Sequence, residues 1–155
     1  MSLLRASLLG GVDGCITSFA IVAGVHAAKL SSGTLWVVGS SSVLADGLSM
    51  GVSEFLSSYS SMDGDRRTLR AARLGAACFA LFITCGFVPL LVYVLARRGI
   101  VACVMFSLVE LMLLGAGRTM ASGEPILFGL LQTTLLGTVA GAVAYGVGSA
   151  VHRIV

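Results

Sequence analysis

Five long apolar runs, each bounded by charge, set the terms on which this chain can fold. They cover roughly residues 8–28, 34–59, 74–96, 100–116 and 125–150, with a polar connector over 60–73. A helix needs ~20 mostly apolar residues to cross a bilayer, and inside lipid only helices and closed barrels satisfy every backbone polar group. The two-residue alternation of a membrane barrel is not visible. The runs therefore predict an all-α polytopic membrane protein, a single domain of five transmembrane helices. Pro125 opens the fifth run, where a first helical turn accepts proline. Composition agrees: 57% of the 155 residues are hydrophobic and 11% charged, against about 25% charged in a soluble domain. Mean hydropathy is +1.00, and a bilayer supplies the apolar surroundings that so small a fold cannot supply itself.

The charges also indicate partners and orientation. A net charge of +3, with arginines at the ends of apolar runs, points to lipid headgroups and away from nucleic acid. Five spans put the termini on opposite sides. One side carries Arg5, Arg66, Arg67, Arg70, Arg73 and Arg118, the other Lys29, Arg97, Arg98 and Arg153. Six against four favours a cytoplasmic N-terminus. No separate cleavable signal is expected, because the first run leads straight into the pattern at 12–25. Cys15, Cys78, Cys85 and Cys103 lie within apolar runs and form no CxxC pair, so they read as small buried hydrophobes.

The second run contains residues that do not belong in lipid. Asp46, Met50 and Glu54 stand four apart, so on a helix they follow one face with ~40° of drift per step. Intramembrane acids are costly and face a bundle interior or a polar path. Folding the chain about residue 32 sets Asp13 of the first helix level with residue 51, so Asp13, Met50 and Glu54 are expected to converge, with Asp46 one turn deeper. Two hard carboxylates with a thioether suit a later divalent transition metal better than Ca2+ or Mg2+. Burial favours the neutral form of a carboxyl group, so such a path can exchange protons for metal. Taken singly, Asp13 also fits a capping or interfacial acid, and Met50 fits core packing. Glu110, in the fourth run, lines the path or pairs with an arginine.

Other residues have plainer readings. His26 fits an interfacial position, and Met105, Met112 and Met120 a packing stripe. Asp63 and Asp65 fit solvated loop charge. Gly10/Gly14, Gly47/Gly51 and Gly137/Gly141 form GxxxG packing faces. The serines at 40–42, 57, 58, 60 and 61 either bond back to their own helix or moisten a pathway.

VDGCITSFAIVAGV (Val12–Val25) resembles the first-helix signature of the vacuolar iron transporter family, an aspartate–glycine pair before a TxFAVVAG-like run. ADGLSMGVSEFLSS (Ala45–Ser58) resembles its second-helix signature, ADAxSMGxGEYLS-like. GFVPLLVYVL (Gly86–Leu95), ELMLLGAGR (Glu110–Arg118) and GTVAGAVAYGVG (Gly137–Gly148) are similar to later family segments. The resemblance implies a five-helix homodimer with its path near the interface of the first helices. It implies export of cytosolic Fe2+, and often Mn2+, into a vacuole or out of the cytoplasm in exchange for protons, with an endomembrane favoured over the plasma membrane. The family's pathway aspartate matches Asp13, its methionine Met50, and its second-helix acids Asp46 and Glu54. No cofactor is implied beyond the transported ion. There are departures. Ser60–Arg73 replaces a long glutamate-rich insert, as in the shorter nodulin-like branch. Gly47, Ser53 and Phe55 replace the motif's alanine, glycine and tyrosine.

Two other function classes compete with transport. A scaffold that kept the fold but lost transport has no evident reason to retain Asp13, Asp46, Met50 and Glu54. An enzyme has only His26 and His152 to draw on, near opposite ends of the chain, with no nucleophile–base arrangement. Within transport, a passive channel competes with an antiporter.

Overall fold

A computed structural model describes residues 3–64, 66–97 and 99–154. Among them are five helices: α1 (Leu3–Ala27), α2 (Ser32–Ser61), α3 (Arg67–Leu95), α4 (Ile100–Ser122) and α5 (Ile126–Ile154). All five are long and apolar enough to cross a membrane. The all-α, five-span expectation holds. The helices outrun the apolar stretches that announced them. Residues 67–73, read as part of the polar connector, form the first turns of α3, since arginine is a good helix former wherever its head reaches water. Asp65 and Arg98 lie outside the described residues.

Short joints force consecutive helices to run antiparallel. Lys29 takes a left-handed φ of 56° beyond α1. There the Lys29 N–H donates to the His26 carbonyl at 3.0 Å and the Leu30 N–H to Val25 at 3.1 Å, the paired bonds that close a helix end. Ser31 then caps α2, its hydroxyl accepting from the Thr34 N–H at 3.1 Å. Arg97 (φ 51°) ends α3 in the same left-handed way, and Gly123 (φ 74°) ends α4. A basic residue at each of the first two ends also complements the helix dipole.

Around α1 the other helices form an open ring. α1 touches all four of them, and α2 meets α3, α3 meets α4, and α4 meets α5. Among the described residues α5 and α2 do not meet, so the ring is open on that side. α1 is accordingly the most enclosed helix, with 61% of its most apolar stretch buried, against 28% for α2.

Glycines bring the backbones together, and all three GxxxG pairs serve packing within the chain. A Cβ on Gly10 or Gly14 would run into the Cys78 or Phe82 carbonyl of α3. Gly47 and Gly51 seat α2 on Phe82, Ile83 and Phe79, while Gly137 and Gly141 seat α5 on Leu111 and Phe19. The core beside them gathers Phe19, Val22, Leu35, Val43, Phe82, Leu90 and Tyr93. Cys15, Cys78, Cys85 and Cys103 are all free and buried.

His26 lies half-buried in the last turn of α1, beside Lys29. Its Nδ1 shares a 2.9 Å hydrogen bond with the hydroxyl of Tyr93, which is fully buried. This bond ties α1 to α3. Tyr93→Phe is expected to lower stability by about 1 kcal/mol, read as the thermal unfolding midpoint in detergent; an unchanged midpoint would mean that water satisfies His26 instead.

Candidate functional site

Asp13 sits at the break in the ring. From Gly10 to Ala27 it is the one exposed residue of α1, flanked by Val12 and Gly14, both buried against neighbouring helices. Leu9, one turn earlier, is also exposed and Thr17, one turn later, half-buried, so an uncovered stripe runs along α1 with Asp13 on it. α2 forms one wall of the break. Its Asp46 is exposed too, and the two carboxylates are close enough to feel each other's charge.

The pairing of Asp13 with Asp46 follows from where the chain turns. The joint lies between Ala27 and Ser32, centred two to three residues earlier than the expected pivot at residue 32. In an antiparallel pair that offset doubles, moving the level of Asp13 from residue 51 to about residue 46. Asp46 lies midway along α2. Glu54 lies two turns further, ~12 Å along the helix axis.

The other candidates are placed as follows. Met50 is half-buried and packs against the core around Val43 and Phe82. Glu54 is buried, 8% exposed, and accepts a 2.7 Å hydrogen bond from the Ser58 hydroxyl one turn on. The Glu54 carboxylate also lies near the Cys78 thiol, as does that of Asp13. Glu110 is on the opposite side of α1, half-buried, and the Cys15 thiol donates to its Oε2 at 3.3 Å. Among the described residues no three His, Cys, Asp or Glu side chains stand close enough to hold a metal ion together. Within one chain, then, Asp13 lies near Asp46 and shares the neighbourhood of Cys78 with Glu54, while Glu110 has separate surroundings.

The serines divide. Ser40, Ser41, Ser60 and Ser61 bond back to carbonyls of their own helix, at Trp36, Val37 and Val38, Ser57 and Ser58 respectively. Ser58 alone of the set is bonded to a candidate acid. Its four-residue spacing from Glu54 could have singled it out from sequence. The Cys15–Glu110 contact could not be found so, because it joins residues 95 apart on different helices.

Comparison with known proteins decides the family. The model of the VIT family matches residues 4–74 and 61–149, nearly the whole chain. The chain belongs to the VIT family. Over 60 residues it is 43% identical to a vacuolar iron transporter of Toxoplasma gondii, covering 39% of this chain and 20% of that protein. It is 29% identical to vacuolar iron transporter homolog 3 of Arabidopsis thaliana, covering 98% of this chain and 86% of the relative. It is 23% identical to vacuolar iron transporter 1 of Eucalyptus grandis, covering 97% and 87%. The last alignment runs over 216 positions against a chain of 155 residues, and the two pieces of the family match meet across 61–74. Both agree with a shortened connector at that point. As a VIT-family member the chain is not an enzyme.

Proposed function

We infer that two copies of this chain pair across the open side of α1 and carry Fe2+, and Mn2+ by the same path, out of the cytosol in exchange for protons. The observation that carries this reading is the position of Asp13. It is an acid in the middle of the most enclosed helix, uncovered where the ring breaks, beside a second acid at the midpoint of α2. Lipid is a poor cover for two carboxylates at that depth. A second copy presenting its own α1 to the same opening makes the cover polar and doubles the acids facing the path.

Family membership supports metal ions as the cargo, and the chemistry supports the exchange. Two carboxylates facing each other repel, and either a divalent cation or protons relieve that repulsion. Loading metal therefore releases protons, and reprotonation returns the empty carrier. Met50, one turn from Asp46, offers a softer ligand that favours Fe2+ over Ca2+. Glu54 and its Ser58 partner continue the face toward the end of α2 that shares a side with the N-terminus. That side is the cytoplasmic one in this reading, and the membrane is that of a vacuole or another endomembrane compartment.

The test is flux into proteoliposomes loaded with a pH-sensitive dye. The expected result is Fe2+ and Mn2+ entry accompanied by proton exit. Metal entry at constant internal pH would make the protein a passive channel, and no flux of either ion would return the scaffold reading.

A further inference from the structure

At the end of the bundle where α1 begins and α2 ends, a cleft of ≈ 400 Å³ opens between Leu3, Met62 and Leu74 and the side chains of Arg70 and Arg73. The transport reading makes no use of it. The two arginines are one helical turn apart on α3, so both project to the same side, and both are exposed. Arg67 is engaged elsewhere, its guanidinium lying 4.5 Å above the centre of the Tyr59 ring of α2. Leu74 begins the apolar run of α3, so the cleft straddles the level where headgroups give way to acyl chains.

Its lining fits one kind of ligand. Paired guanidiniums bind phosphate oxygens in a planar, forked geometry. Leu3 and Met62 from the neighbouring elements, with Leu74 beside the arginines, need methylenes against them, and a small soluble anion would leave them wet. Among the described residues no acid lines this cleft, whereas the neighbouring one between Arg5 and Arg118 includes Glu124. We propose that the cleft is a binding site for one anionic glycerophospholipid, its phosphate on Arg70 and Arg73 and its glycerol and first methylenes against Leu3, Met62 and Leu74.

The experiment is native mass spectrometry of the full-length protein in neutral detergent, titrated with phosphatidylglycerol or phosphatidylcholine. Wild type is expected to retain one phosphatidylglycerol in preference to phosphatidylcholine. Arg70→Gln/Arg73→Gln is expected to weaken that retention on the order of tenfold, the combined effect of two basic contacts. The control is Arg66→Gln/Arg67→Gln, which removes the same charge from the same end of the bundle at residues that do not line the cleft; it is expected to change retention by less than about threefold. Equal losses from the two double variants would overturn the proposal in favour of a diffuse surface field. Equal retention of the two lipids would overturn headgroup recognition. Displacement of phosphatidylglycerol by millimolar inorganic phosphate would make the site one for free anions.

Discussion

Asp13→Asn is expected to reduce Fe2+ and Mn2+ flux at least roughly tenfold, since losing even an outer partner of a metal ligand typically costs 10–100-fold. Asparagine keeps the size and hydrogen-bonding capacity of the side chain, so the bundle should survive; what disappears is the charge and the exchangeable proton. The same change at Asp46 should weaken flux in the same direction, because its charge acts on the Asp13 carboxylate. A useful contrast is Asp63→Asn on the exposed connector, expected to leave flux within about twofold of wild type, as surface charge in water is well screened. The readout is initial metal uptake in proteoliposomes at matched protein density. Full activity in Asp13→Asn would remove the central carboxylate from the mechanism.

The second large effect concerns the fold. Gly14→Ala adds one methyl group where the Phe82 carbonyl already occupies the space, so α1 has to slide or tilt off α3. The expected loss is roughly 1–3 kcal/mol, typical of overpacking a close contact, and it should appear as a lower unfolding midpoint in detergent. Gly146→Ala supplies the opposite sign. Nothing lies within 4 Å of the added atom there, and alanine is the better helix former by about 1 kcal/mol, so the midpoint should rise. If both variants unfolded at the wild-type temperature, close backbone approach would not be what holds α1 to α3.

Much of this fold is legible in the sequence itself. The five helices were legible because lipid demands length and apolarity, and both are properties of a contiguous stretch. Gly10, Gly14, Gly47 and Gly51 were legible as packing residues through their four-residue spacing. Which helix each faces was not, since that depends on partners distant in sequence. The acids were legible as anomalies, but their depths were not. An error of two to three residues in the pivot between α1 and α2 became more than a helical turn in the partner assigned to Asp13, exchanging residue 51 for Asp46. The partner of His26 is hidden in the sequence for a related reason. The position of His26 near a helix end suggested water, while its partner Tyr93 comes from a helix 67 residues further along the chain. The Cys15–Glu110 contact has no local signature at all.

The glycine contacts between α1 and α3 have a mechanical consequence. Where backbone rests on backbone there are no long side chains to swing aside, so the joint at Gly10 and Gly14 is stiff in the way a dovetail is stiff. α2 is fastened along one edge, to α3 and α1, and its outer face is free of the other helices. A carrier that must open first to one compartment and then to the other needs a fixed post and a moving leaf. Here α1 and α3 make the post. In the proposed carrier the leaf would be α2, pivoting on its close contact with α3 at Gly51 and Gly75; it bears Asp46, Met50 and Glu54, so a swing of that single helix would move all three past Asp13 while Asp13 itself stayed still.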